Sequence, residues 1–104
     1  MPDSAAQLQA IYMAGYELER FDRFPGAVGV VKDGCVALLE QTPGGLRIIG
    51  TPGWRMGEAM GVLIEKAGRK CFQLKDEVVE ATPERLAALE SFRRELEELL
   101  AARA

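Results

Sequence analysis

The sequence predicts an α+β fold built on an antiparallel sheet, and three observations predict it. Apolar residues recur at helical spacing near both ends of the chain. Through the middle they alternate or run continuously, as in strands. Asp-Gly and Pro-Gly pairs punctuate that middle region at the spacing of tight turns. Helices segregated from strands in this way are the α+β pattern. The expected order is an N-terminal helix, a three-strand meander, a glycine-rich connector, a hairpin and a C-terminal helix. The five strands would form one antiparallel sheet, free to curve strongly or close toward a barrel. With 104 residues, the span 1–104 has the length of one domain.

The first helix is predicted from Ser4 to about Arg20. Gln7 follows Ser4 at capping-box spacing. Leu8, Ile11, Tyr12, Gly15 and Leu18 then mark one helical face, which Met13 and Tyr16 widen. Tyr16 to Phe21 also alternates like a strand, which competes with a helix beyond Gly15. Pro25-Gly26 ends the segment.

Ala27 to Lys75 reads as β structure. Asp33-Gly34 between two apolar runs is a strong hairpin signal, and a two-residue turn there sets Lys32 opposite Cys35 and Val31 opposite Val36. Pro43-Gly44 at the centre of a type II turn sets Glu40 opposite Arg47 and Leu39 opposite Ile48. The opposite charges of Glu40 and Arg47 support that register. For the last hairpin, a three-residue loop at Lys66-Ala67-Gly68 pairs Glu65 with Arg69 and avoids facing Lys66 with Arg69. That register places Val62, Ile64, Phe72 and Leu74 on one face, with Leu63 and Cys71 on the other.

The C-terminal helix begins with Thr82 as N-cap and Pro83 in the first position. Its stripe is Leu86, Leu89, Phe92, Leu96, Leu99 and Leu100, with Glu90–Arg94 and Arg94–Glu98 spaced to pair on the exposed side.

The meander carries apolar side chains on both faces. Val28, Val30, Ala37, Leu39 and Ile48 share one; Val31, Val36, Leu38 and Ile49 share the other. A sheet with one wet face should alternate apolar and polar. Both faces therefore need cover, either a helix on each or, if the helices share a face, closure of the other by curling into a small barrel or by a second copy of the chain. The expected partner is thus a homodimer mate.

The composition excludes several kinds of chemistry. The chain has no histidine and only two cysteines, Cys35 and Cys71. A four-ligand Cys/His zinc site and a histidine general base are ruled out. No metal and no cofactor are expected. The net charge of −3 lacks the basic footprint of nucleic-acid binding. The opening residues lack a secretory pattern and no stretch approaches a membrane span, so no membrane partner is expected and the cytoplasm is the expected compartment.

The segment Gly50–Gly61 is the candidate site. It lacks the Lys-Ser/Thr of a Walker loop and the spacing of a dinucleotide turn. Thr51-Pro52 resembles a helix start that would carry Trp54, Arg55 and Glu58, with Trp54 and Arg55 of types that anchor interfaces. Tyr12 and Tyr16, one helical turn apart, would form the far wall of a pocket. There Arg55 would hold a carboxylate or phosphate. The plainer reading makes Trp54 a core plug, the tyrosines edge packing and the segment a connector. Cys35 and Cys71 read as small buried apolar residues. Glu40, Glu58, Glu65, Asp76, Glu77 and Glu80 are too scattered to form an acid/base pair. Two functions remain in view: a non-enzymatic interaction module acting as a homodimer, and a binder of, or enzyme acting on, a small anionic molecule.

Overall fold

A computed structural model describes residues 4–21 and 23–102. Helix α1 (Ser4–Met13) leads into seven strands: β1 (Glu17–Glu19), β2 (Val28–Lys32), β3 (Cys35–Thr42), β4 (Gly45–Met56), β5 (Ala59–Lys66), β6 (Arg69–Leu74) and β7 (Glu77–Glu80). Helix α2 (Pro83–Ala102) follows. The strands form an antiparallel meander in sequence order, curled into a half-barrel. The class is the expected α+β, with seven strands rather than five.

The two extra strands flank the meander. Helix α1 stops at Met13, and Gly15 takes a left-handed conformation (φ 94°). The chain can then pair Glu17–Glu19 with Gly29–Val31. The strand-like alternation beyond Gly15 therefore prevails over the longer helix. At the other end, Glu77–Glu80 pairs with β6 before the helix begins.

The turns explain the registers. Asp33 (φ 51°) and Gly34 (φ 84°) form the expected two-residue turn, and Val31 faces Val36. Glu40 faces Arg47 and the two form an ion pair. The positive φ in that second turn lies at Gly45 (106°), however, so it is not type II. Thr42 holds it instead: its hydroxyl accepts from Gly44 N at 3.2 Å and donates to Gly45 O at 2.6 Å. The third hairpin overturns the three-residue loop. Ala67 (φ 54°) and Gly68 (φ 77°) make a two-residue turn with Lys66 opposite Arg69. Both cations lie in solvent, so facing them costs little, and the register gains Glu65 opposite Lys70. Leu63 and Phe72 therefore share a face, and Ile64 and Cys71 share the other.

The predicted connector is itself strand. Between the pairs Val36–Gly53 and Leu38–Ile49, Ala37 alone on β3 faces Gly50, Thr51 and Pro52 on β4. This bulge accommodates Pro52, which has no N–H to give a regular ladder. No helical turn starts there; β4 continues to Met56 and turns at Gly57-Glu58 into β5.

Both helices pack on one face of the sheet. Ile11 of α1 and Leu89, Phe92, Leu96 and Leu100 of α2 meet Val30, Cys35, Ala37, Leu39, Leu46, Met56 and Phe72. Thr82 caps α2 by accepting from Arg85 N at 3.2 Å. The ion pairs on α2 run through Arg93, to Glu90 and Glu97, not through Arg94. The other face has its own cover. Phe21 and Phe24, on the segment between β1 and β2, lie with Ala27 and Met60 over Val31, Val36 and Leu38, while Ile49 stays 37% exposed. The meander is thus greasy on both sides, as its sequence implied, but an aromatic loop covers what a helix or second copy was expected to cover.

Candidate functional site

Trp54 and Arg55 are neighbours on β4, so they point to opposite faces of the sheet. Trp54 belongs to the helix face. Its indole stacks on Phe72 with centroids 5.6 Å apart, and the Arg85 guanidinium of α2 lies 5.7 Å from its ring centroid. Gly34 lies beneath it so closely that an added Cβ would come within 2.8 Å of the indole. Arg55 belongs to the outer face. Its guanidinium forks onto Glu19 of β1, with Nη2 donating to Oε1 at 2.9 Å and Nη1 to Oε2, while Nε donates to Gly57 O at 3.0 Å. The donors proposed for an anionic ligand are engaged within the fold.

The two tyrosines also part company. Tyr12 is 64% exposed on α1, whereas Tyr16, beyond the helix end, is buried. The Tyr16 hydroxyl donates to Glu95 Oε2 at 3.1 Å, its ring meets Phe92, and the Lys32 ammonium lies 4.6 Å from its ring centroid. Burial, reinforced by Glu95, pushes the phenol up to about 12. Burial, with Asp33 nearby, likewise pushes the adjacent Cys35 thiol up to about 11. Neither group ionises at neutral pH, and Cys35 offers no thiolate nucleophile there. Glu58, on the exposed β4–β5 turn, belongs to a different place again, the rim of an outer-face cavity. The five nominated residues are therefore not brought together.

The helical layer exposes a second surface. Residues 4–14, SAAQLQAIYMA, contain no charged side chain. One side of α1 is committed to the fold. Ile11 is buried, and the Gln7 amide, also buried, is fully used: its Nε2 donates to Leu100 O at 3.1 Å and its Oε1 accepts from Leu46 N at 2.9 Å. Gln7 therefore pins α1 to α2 and β4 rather than completing a capping box. The Ser4 hydroxyl has no partner among the described residues. The opposite side carries Tyr12 and Met13, the latter 76% exposed. Ala6, Ala10 and Met13 of α1, with Ala14 just past its end, line a shallow groove with Leu99 and Ala102 of α2.

Comparison with protein families, with curated proteins and with solved structures finds no relative of this chain. Its surfaces must be read from their own chemistry. Sequence spacing marked Tyr12 as one of a tyrosine pair. The better signal was the run of thirteen uncharged residues around it, Ser4 to Tyr16, in a chain where 28% of residues are charged.

Proposed function

We propose that the protein is a non-enzymatic interaction module that acts as a homodimer, pairing through α1 and the last turn of α2. The carrying observation is the uncharged, outward side of α1 with Met13 and Tyr12 standing on it. Large apolar side chains grouped on a surface favour association. Self-pairing suits the α1 part of this surface because residues 4–14 bring no like charges together in a chain of net charge −3. The sheet edges are poorer candidates. β1 reads ELE and β7 reads EVVE, so pairing either edge with itself or with the other aligns carboxylates.

A ten-residue helix is about 15 Å long. The groove shared with α2 is needed to approach the roughly 800 Å² per partner of a standard interface. A two-fold arrangement would seat the Met13 of each copy in the alanine-lined groove of the other. The two buried free thiols suit a reducing compartment such as the cytoplasm. A carboxylate or phosphate binder centred on Arg55 has less support, because Glu19 already occupies that guanidinium.

Light scattering coupled to size exclusion tests the pairing. The expected mass at micromolar concentration is twice the 11.4 kDa of the chain. Met13→Glu places two carboxylates at the centre and should return the single-chain mass with an unchanged circular dichroism spectrum. Wild-type protein that stays at single mass sinks the proposal. A Met13→Glu variant that still dimerises moves the contact elsewhere, and Val78→Glu, on the outer sheet face, would then locate it.

A further inference from the structure

The outer face holds a cavity of about 490 Å³ between the segment joining β1 to β2, the β4–β5 turn and the β6–β7 turn. That volume lies within the roughly 300–1,000 Å³ of small-molecule sites. Its floor is apolar: Phe21, Phe24 and Met60, all of the outer-face cluster. Its rim is charged with both signs. Arg23 and Lys75 stand against Glu58, Asp76 and Glu77. Among the described residues, the ion pairs are Arg47–Glu40, Arg55–Glu19 and those of Arg93, so none of the five rim charges is neutralised by another. The Arg23 guanidinium lies 5.9 Å from the Phe24 ring centroid, which sets a cation beside the apolar floor.

A hydrocarbon alone would use the floor and leave the rim idle. A simple anion or cation would meet one rim charge and be repelled by another. A molecule with an apolar body and separate positive and negative ends can use all three parts. We infer that this cavity binds a zwitterionic α-amino acid or dipeptide with a large apolar side chain. The side chain lies on Phe21, Phe24 and Met60. The carboxylate faces Arg23, where a guanidinium offers a two-pronged donor. The ammonium faces the Glu58 and Asp76 carboxylates. No bond is made or broken; the site recognises and holds. This site is separate from the α1 surface, and its occupancy does not require dimerisation.

Phe21 is held in the floor by a missing side chain. It lies against Gly29, where an added Cβ would come within 2.2 Å of the ring. Gly29→Ala therefore displaces Phe21 without altering any rim charge.

The test is titration calorimetry and amide NMR with L-phenylalanyl-L-leucine, its N-acetyl form and its C-terminal amide as probes. Saturable binding of the unmodified dipeptide is expected, with shifts confined to Phe24, Met60 and the Lys75-Asp76 turn. Each blocked form should bind about tenfold more weakly, the size of one lost charged hydrogen bond. Arg23→Gln should abolish the difference between the dipeptide and its amide. Glu58→Gln with Asp76→Asn should abolish the difference between the dipeptide and its acetylated form. Both exposed-rim variants should keep the wild-type melting temperature, and Gly29→Ala should lose binding of all three probes. Absence of saturable binding, equal affinity for all three probes, or shifts outside the cavity each overturn the assignment.

Discussion

Gln7 shows how much can rest on one side chain. It is the only polar residue fully buried among those described, and both ends of its amide are used. Gln7→Leu keeps the bulk but orphans Leu46 N and Leu100 O. At about 1–3 kcal/mol for each stranded group, urea unfolding should show a loss of roughly 2–6 kcal/mol. Gln9→Leu, on the outward side of the same helix, should cost almost nothing. The sequence could not foretell this role, because a glutamine three places after a serine fits a helix cap equally well. Only the arrival of β4 and α2 decides between them. Tyr16 and Cys35 carry a second prediction. Both are neutral when protonated, and burial raises both, from 10.0 to about 12 and from 9.0 to about 11. The folded state thus keeps its protons to higher pH than the unfolded chain. That contribution to stability is complete below about pH 9 and is lost as pH rises through 11 and 12. Urea midpoints should fall over this interval. Tyr16→Phe should flatten the upper part of the fall and Cys35→Ala the lower part.

The elements show which local signals can be trusted. Asp33-Gly34 points to one register through its turn chemistry, and the Glu40–Arg47 pair points to the next through cross-strand charge even though the turn between them is not type II. The β5–β6 hairpin was misread because charge was weighed alone. Two solvated cations repel too weakly to displace a two-residue turn with Gly68 at its second position. The stretch Gly50–Gly61 looked like a connector because glycine and proline usually punctuate strands. Here they occupy a bulge inside one. Glu77–Glu80 lies beyond the span expected as β structure, yet it pairs with β6, and edge strands commonly carry charge. The residues nominated for the candidate site are not gathered by the fold. Their proximity in sequence joins Trp54 and Arg55 as anchors of one pocket, while strand alternation sends them to opposite sides. Gly34 ties a turn to that anchor. Gly34→Ala would introduce a side chain at φ 84° and press it into Trp54. A cost of roughly 2–4 kcal/mol is expected from strain plus displaced packing. Tryptophan emission should shift as the indole leaves Phe72 and Arg85, whereas Gly44→Ala, with no close neighbour, should leave emission unchanged.

At the scale of the whole molecule, charge is distributed so that association is discouraged at some surfaces and allowed at others. Both sheet edges present carboxylates, the exposed side of α2 alternates acids with arginines, and the outward side of α1 presents neither. This arrangement gives the proposed dimer a salt signature. Pairing through uncharged surface should be unweakened between low and high ionic strength, whereas ion-paired assembly would loosen and acidic-edge assembly would tighten. Sedimentation at two salt concentrations distinguishes these outcomes. The curl of the sheet has a further effect through β4. Its first half is laced to β3 from Gly45 to Ile49, and its second half is held between β3, at Gly53 and Trp54, and β5, from Trp54 to Met56. One continuous backbone thus serves as a strut for both ends of the ribbon, with Pro52 buried at the crease. Peeling away β5–β7 strips that strut of a partner and uncovers Trp54, whose loss in turn frees α2. The protein should therefore come apart in one step, with no half-molecule able to persist on its own.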